Sequence, residues 1–508
     1  MNCDQNCPDL PITNTPRAVP AVTGKKRIRG SVSVLSVLFM CSGILAAAEP
    51  DSTSASLTLK AQCSVPFSNN AVLQRGIPLP VWGKSLPEAK VTVSFEKQTK
   101  TAVADKDGGW RVILDPLTAI KLSSPNEVPK GERMTLITEL DGKTETATLE
   151  NLVVGDVWLC AGQSNMAGGV RANKNGRYPE GTLTEANYPG FRHKLTSDSD
   201  AWVACTPETT NSFKQVAFFF GRDVYREALV PIGIVAAAVG GSNVESWLNQ
   251  EPNELGGHYQ KLIAPIVGYG IRGMVWYQGE SNTKDGLKYQ PKLTSLIEGW
   301  RKAWKQGDFP FYIVQLPGQG APPEEGADPA GGGDWAETRQ AQFQTLAVKN
   351  TGMAVTIDIG HGSVHPPNKY DTGIRLARLA LHNDYGFTKL VPTGPLYESQ
   401  KIEGDTIRIT FQHADNGLMF AEKNGILPPE PTPDTKLEWL AIQAKDGTWH
   451  RAEGKIDGPE LLVSSKDVKE PIAARYAYVS RPVGCMLYNK DGLPAAPFRT
   501  DEPKGSRK

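Results

Sequence analysis

Val153-Val154-Gly155-Asp156-Val157-Trp158-Leu159-Cys160-Ala161-Gly162-Gln163-Ser164-Asn165-Met166-Ala167-Gly168-Gly169 is the stretch on which the reading of this chain turns. Its first eight residues are apolar or small apart from Asp156, the pattern of a strand covered on both faces. The run then breaks into polar residues flanked by glycine. A serine between a buried strand and such a turn presents its hydroxyl at the mouth of a sheet. Its amide would lie near a helix N-terminus, where negative charge is stabilised. A serine in that place also serves as an ordinary helix cap, so the stretch acquires meaning only from the segments downstream of it.

Four further runs have the same character: Gly233–Ala238, Gly273–Tyr277, Phe311–Leu316 and Met353–Ile357. Between them the apolar period changes. Val216, Phe220, Val224 and Ala228 recur every four residues. Tyr289, Leu293, Leu296, Trp300 and Trp304 fall at helical spacing, and Ile374, Ala377 and Leu381 mark a helix after the fifth run. Strands alternating with helices predict an α/β domain on a parallel sheet. Ligands gather beyond the C-terminal ends of such strands, so the chemistry is to be sought just after each run.

Outward from this core the chain turns β-like on both sides. Val91–Phe95 and Trp110–Leu114 are short β-rich runs. Turn signals at Asp107-Gly108-Gly109 and Asp141-Gly142 give them the spacing of a small antiparallel sandwich. Downstream, Thr406–Phe411 alternates, Leu437–Ile442 reads as a more apolar strand, and residues 501–508 read as a frayed polar tail. The Gly/Pro/Ala-rich segment Gly318–Gly333 reads as a loop, either a site lid or an insertion. The expected organisation is a leader over 1–48, a β domain over 49–152, a catalytic domain over 153–390, and a β domain with tail over 391–508. A length of 508 residues fits about three domains. With 55 basic against 55 acidic side chains the net charge is zero. That excludes a generic nucleic-acid binder, which needs excess Lys and Arg, and argues against a disordered acidic protein.

Near the N-terminus, Lys25-Lys26-Arg27-Ile28-Arg29 precedes the apolar stretch Val32–Leu45 and then Ala46-Ala47-Ala48. A basic segment, a short apolar segment and a small-residue end are the parts of a secretory signal. The apolar run is short and interrupted by Ser and Gly, so no stable membrane span is expected after its removal. An exported protein, periplasmic or secreted, is the expectation. The mature chain keeps Cys63, Cys160, Cys205 and Cys485. Their number and spacing fit neither a disulfide framework nor a zinc site.

The residues after the runs carry the chemistry. Ser164 follows the first. Gly240 and Gly241 follow the second, where adjacent glycines let backbone amides approach a ligand oxygen. Trp276-Tyr277-Gln278-Gly279-Glu280-Ser281-Asn282 follows the third: Gln278 and Asn282 offer neutral amide donors, and Glu280 accepts hydrogen bonds that organise the loop. Asp358-Ile359-Gly360-His361-Gly362-Ser363-Val364-His365-Pro366-Pro367-Asn368-Lys369 follows the fifth, with His365 a candidate general base. His361 and His365 are four apart, but Gly362 and the prolines oppose a helix, so no metal site is expected. Taken singly, each segment also reads as a cap, a tight turn or a loop with internal hydrogen bonds.

Together the segments Gly162-Gln163-Ser164-Asn165-Met166, Gly240-Gly241, Trp276–Asn282 and His365-Pro366-Pro367-Asn368-Lys369 resemble the SGNH hydrolase superfamily, and within it the sialate O-acetylesterase family of carbohydrate esterases. Asn70–Arg75, Pro80–Gly83, Leu487–Pro494 and Pro497–Thr500 resemble the family's flanking regions. The resemblance implies a flavodoxin-like SGNH hydrolase core flanked by N-terminal and C-terminal β-sandwich-like domains. It implies that Ser164 attacks an acetyl carbonyl and that His365 takes its proton. The amides of Ser164 and Gly241 and the side chain of Gln278 would hold the oxyanion, with Gln163, Asn165, Glu280 and Asn282 supporting the site. No cofactor is implied.

One departure stands out. The family usually carries an Asp two or three residues before the catalytic His; here those positions are Ser363 and Gly362. Asp358, seven residues before His365, is the candidate acid; otherwise the site is a Ser–His dyad. The expected substrate is an acetylated glycan, foremost O-acetylated sialic acid. The alternatives are an acetyl xylan esterase or other polysaccharide deacetylase, and a glycan-binding protein on a degenerate hydrolase scaffold. The oligomeric state stays open.

Overall fold

The computed structural model describes residues 57–501 except 171–177, 198–200, 251–253, 325 and 485. The expected leader and the tail from residue 502 onward lie outside these residues. The described residues lie in one compact unit, which carries every element below.

The opening stretch is the second half of one long strand, β1 (Lys143–Gly162). From Leu152 to Gly162 every residue is buried, whereas Lys143–Asn151 are exposed or half-buried. The change falls at Asn151, which has a positive φ of 56°, a conformation asparagine tolerates better than most residues. The boundary expected at 152/153 therefore lies inside a continuous strand.

The buried half is the hub of a sheet. β2 (Tyr188–Leu195), β3 (Ile232–Ala238), β4 (Gly273–Tyr277), β5 (Phe311–Val314) and β6 (Thr351–Ala354) join it in the order β2-β3-β1-β4-β5-β6, and every pairing is parallel. A short antiparallel strand, Val203–Cys205, borders β2. The chain leaves β1 to one side and later returns to its other side. The loops after β1, β3 and β4 thus open into one crevice, where open α/β sheets place ligands.

Neighbouring residues explain why β1 is apolar throughout. Leu159 and Ala161 join a cluster with Met274, Trp276 and Ile313, which packs against α3 (Tyr289–Trp304). Trp158 and Cys160 join Val275, Tyr277 and Tyr312 beneath α2 (Gln215–Ala228) and α5 (Lys369–Asp384). With a side-chain period of two, both faces need apolar residues only when both are covered. Helices α2 and α5 pack closely because Gly373 lacks a side chain: a Cβ there would lie 2.4 Å from the Cβ of Phe219.

Two elements carry no apolar signature in the sequence. Helix α4 (Asp334–Gln344) has no apolar stripe; it buries Thr338, Arg339, Gln340 and Gln342 instead. Arg339 donates to the carbonyls of Val479 and Ser480, so polar bonds do the work that an apolar face usually does. Strand β2 buries Arg192, His193 and Lys194, which hides it from a search for apolar runs. The strand expected at Leu437–Ile442 begins only at Leu440, after Trp439 turns the chain with a φ of 58°.

Around this sheet lie smaller antiparallel ones. Upstream, Lys90–Phe95, Gln98–Val103 and Glu132–Leu140 extend from the first half of β1, and Gln62–Cys63, Leu79–Lys84 and Gly109–Leu114 form a second sheet. Downstream are two four-stranded sheets and one three-stranded sheet; their core includes Met353, Val355 and Ile357 from the end of the parallel sheet. Asp501, expected in the frayed tail, is held by Arg475 and Arg499. Cys63, Cys160 and Cys205 are free thiols; Cys485 lies outside the described residues.

Candidate active site

Gly162 ends β1 with a φ of 145°, and a Cβ there would lie 2.1 Å from the carbonyl oxygen of Tyr277. Only glycine lets the two strand ends meet this closely. The chain then enters the short helix α1 (Ser164–Ala167), whose N-cap is Gln163, without a side-chain cap. The Ser164 hydroxyl is not a cap. Its Oγ lies 2.9 Å from Nε2 of His365, although the two are 201 positions apart in the chain. A Cβ on Gly240 would lie 3.9 Å from that of Ser164, which places the turn after β3 beside the hydroxyl. The amides of Gly240 and Gly241 donate to no group among the described residues.

His365 is exposed on the loop before α5, and its amide donates to Ser363 Oγ. Partial burial and the neighbouring Lys369 both hold its pKa below the ordinary 6.5, so the imidazole is neutral near pH 7. A neutral ring can accept the serine proton. Among the described residues no carboxylate bonds to its Nδ1.

The candidate acid, Asp358, lies elsewhere. It sits on the turn Ile357–Ile359, and Arg375 grips both its oxygens at 2.6 and 2.7 Å. Tyr488 donates to one of them at 3.2 Å. Both members of the ion pair are nearly inaccessible, and the carboxylate raises the Arg375 pKa above its usual value despite the opposing effect of burial. A guanidinium matches a carboxylate with two parallel hydrogen bonds, and that match holds Asp358 in the core rather than on His365.

The amide side chains are likewise committed. Gln278 Nε2 donates to the Ser242 carbonyl at 3.3 Å and to Asn282 Oδ1 at 2.7 Å, while its Oε1 accepts from Tyr289. Both hydrogens of the expected oxyanion donor are thereby used. Asn282 Oδ1 also accepts the Val244 amide, and its Nδ2 donates to Glu245 and Asp285. Gln278 and Asn282 thus brace the turn after β3. Gln163 Oε1 accepts the Ser281 amide at 3.2 Å, joining the loops after β1 and β4.

Asn165 is a junction. Its Nδ2 donates to Glu280 and to the Val364 carbonyl, the latter at 3.0 Å, and its Oδ1 accepts from Lys369. Burial raises the Glu280 pKa; burial also pushes the Lys369 pKa down to about 7. The sequence reading gives Lys369 no role of its own. Its place four residues after His365, at the start of a helix, is the signal the sequence holds for it. No cluster of three or more His, Cys, Asp or Glu able to hold a metal occurs among the described residues.

The segment Gly318–Gly333 is tied down at several points. The Gly318 carbonyl accepts the His361 amide, Gln319 donates to the Ser480 carbonyl, and Arg481 donates to the Gly320 carbonyl. These bonds bring the C-terminal residues 478–481 alongside the His365 loop.

Comparison with known proteins agrees with this architecture. Residues 154–381 match the model of the family described as carbohydrate esterase, sialic acid-specific acetylesterase. The crystal structure of a carbohydrate acetylesterase from Xanthomonas citri superposes with a TM-score of 0.73 at 31% identity, covering 87% of this chain and 99% of that one. The sialate O-acetylesterases of Homo sapiens and Pongo abelii are each 26% identical, over 85% of this chain and 91% of theirs. The protein is therefore an α/β ester hydrolase of the carbohydrate-deacetylating class. It belongs to the sialate O-acetylesterase family of carbohydrate esterases.

Proposed function

We propose that this enzyme removes O-acetyl groups from sialic acids by an acyl-enzyme mechanism in which Ser164 is the nucleophile and His365 the base. The observation that carries the reading is the 2.9 Å approach of Ser164 Oγ to His365 Nε2 at the C-terminal mouth of the sheet. Oγ attacks the acetyl carbonyl carbon as Nε2 takes its proton. The imidazolium returns that proton to the departing sugar oxygen, leaving the acetyl group on Ser164. Water, deprotonated by His365, then releases acetate and restores the hydroxyl. The backbone amides of Ser164 and Gly241 stabilise the oxyanion, and Gln278 contributes by holding the Gly240–Ser242 turn in place. His365 acts as a dyad partner, with no carboxylate on its Nδ1 among the described residues.

The names of the animal relatives support the sialic acid reading. Arg481 is the cation that fits it. Its guanidinium lies 3.7 Å from where a Cβ on Gly362 would be, and its hydrogen bond among the described residues goes to the Gly320 carbonyl rather than to a carboxylate. Gly362 and His365 are three positions apart, a reach of about 10 Å, so the carboxylate of an acidic sugar can meet Arg481 while its ester meets Ser164. We further propose that the core is flavodoxin-like, that the flanking sheets form sandwich-like domains, and that the chain is exported. Export rests on the basic, apolar and alanine segments of residues 25–48. Among the described residues no helix is long and apolar enough to cross a membrane.

The test is hydrolysis of a small aryl acetate, followed by acetate release from a panel including mucin sialic acids and acetylated xylan. Ser164→Ala is expected to lower the rate about 10⁴-fold or more. A wild-type rate in that variant would overturn the mechanism. Acetate release from xylan alone would overturn the sialic acid assignment.

A further inference from the structure

The reading of Ser164 and His365 as nucleophile and base leaves unexplained what holds them 2.9 Å apart. Ser164 opens α1 while His365 is exposed on the loop before α5, and among the described residues no strand or helix bonds join the two segments. The residues next to them in sequence are joined, however. Asn165 follows the nucleophile and Val364 precedes the base, and Asn165 Nδ2 donates to the Val364 carbonyl at 3.0 Å. That bond needs the Asn165 amide in one orientation. Flipped, it would set Oδ1 against a carbonyl and a carboxylate, and its NH2 against an ammonium.

A half-buried carboxylate and a buried ammonium impose the orientation. Glu280, on the loop after β4, accepts from Nδ2, and Lys369 Nζ, at the first turn of α5, donates to Oδ1 at 2.5 Å. Lys369 is only 5% exposed, and its Nζ also lies 5.4 Å from the centre of the Tyr277 ring. The charged and titratable groups facing it are Glu280 from the loop after β4, Tyr277 from β4 itself, and His365 from its own loop. Asp371, two residues along α5, faces Lys423 instead.

We propose that Lys369 is a positioning residue: with Glu280 it fixes the Asn165 side chain, which clamps the backbone before His365 and so sets the imidazole opposite Ser164. It touches neither substrate nor reacting atoms. Its charge has a second consequence. A cation beside His365 opposes formation of the imidazolium and lowers its basicity. Activity rises as His365 loses its proton, so removing the cation moves the acid limb of the pH–rate profile to higher pH.

The experiment compares the full chain with Lys369→Met, Lys369→Gln and Ser164→Ala on an aryl acetate across pH. Lys369→Met leaves Asn165 Oδ1 unpaired. The expected loss is roughly 100-fold in kcat, the scale of a misplacement near 1 Å, with KM almost unchanged. Lys369→Gln restores a neutral donor. It should recover most of kcat while showing the same upward move of the acid limb. A Lys369→Met enzyme with wild-type kcat overturns the proposal, as does a glutamine variant no faster than the methionine one. Should the methionine variant fail to fold, the glutamine variant decides: a raised acid limb with kcat near wild type supports the proposal, and an unmoved limb overturns it. Loss of activity in Ser164→Ala alongside an unaffected Lys369→Met overturns this inference alone. Retained activity in Ser164→Ala overturns the catalytic reading beneath it.

Discussion

The two ends of the segment from Ile357 to Lys369 are built on opposite plans. At its start Asp358 is buried, gripped through both oxygens by Arg375 and bonded to Tyr488. Seven residues on, His365 is exposed, and among the described residues its ring bonds to the Ser164 hydroxyl. The first end locks the parallel sheet to the downstream sheets. The second leaves a base with an open nitrogen. Proximity in sequence suggested one triad, but the structure pairs the acid with Arg375 in the core and sets the proposed base against Ser164. The lesson is that a carboxylate goes to the group that satisfies it best. A guanidinium able to meet both oxygens in the core outcompetes a single imidazole nitrogen on an exposed loop.

The largest expected effect tests that division. Asp358→Asn removes the charge that balances a buried arginine, and breaking one side of such a pair costs about 3–5 kcal/mol. Urea unfolding should show a lower midpoint with unchanged slope, while kcat of the folded enzyme stays near wild type. A large loss of kcat without loss of stability would return Asp358 to the catalytic apparatus and erase the contrast.

The legible and the hidden parts of this molecule follow the same physics. β1, β3 and β4 could be read because both faces of the sheet are covered by apolar side chains, and their ends marked the site. Strand β2 and helix α4 could not. They bury Arg192, His193 and Arg339, and their stability comes from hydrogen bonds to distant carbonyls such as those of Asn151 and Val479. Burial pushes His193 down to a pKa of about 3, behaviour that no local pattern announces. In the proposed site, Ser164 and His365 could be singled out by residue type and by place after a strand, and the structure brings the two together. The fates of Gln278 and Asp358 were not, because a hydrogen bond already committed to Asn282 or Arg375 leaves no trace in sequence.

A smaller effect is expected from making the two ends alike. Ser363 Oγ accepts the His365 amide at 3.2 Å, so an acid at that position starts close to the ring. Ser363→Asp should place a carboxylate where it can reach Nδ1 and stabilise the imidazolium. The full contribution of an orienting acid in an evolved triad is on the order of 10⁴. The gain here should be nearer ten-fold, because the surrounding loop was not shaped to hold the acid. The acid limb of the profile should also move up, since a nearby negative charge favours the protonated ring. A variant that is slower than wild type, with its acid limb unmoved, would show that Nδ1 faces away from position 363.

The smallest expected effect concerns what lies outside both ends. Arg481 reaches the same loop from the C-terminal residues and is half-exposed, so solvent screens any ion pair it forms. Exposed pairs contribute about 0.2–1 kcal/mol, which corresponds to at most roughly five-fold in KM. Arg481→Gln should therefore raise KM for an O-acetylated sialic acid by a few-fold and leave KM for a neutral aryl acetate unchanged. The two substrates share the ester and differ in the carboxylate, so their ratio isolates the contact from any general loosening of the loop. Raising the ionic strength should shrink the wild-type preference toward that of the variant. Equal changes for both substrates would mean that Arg481 only supports the Gly318–Gly333 segment through the Gly320 carbonyl. The acidic sugar would then have to be recognised elsewhere, or not be the substrate.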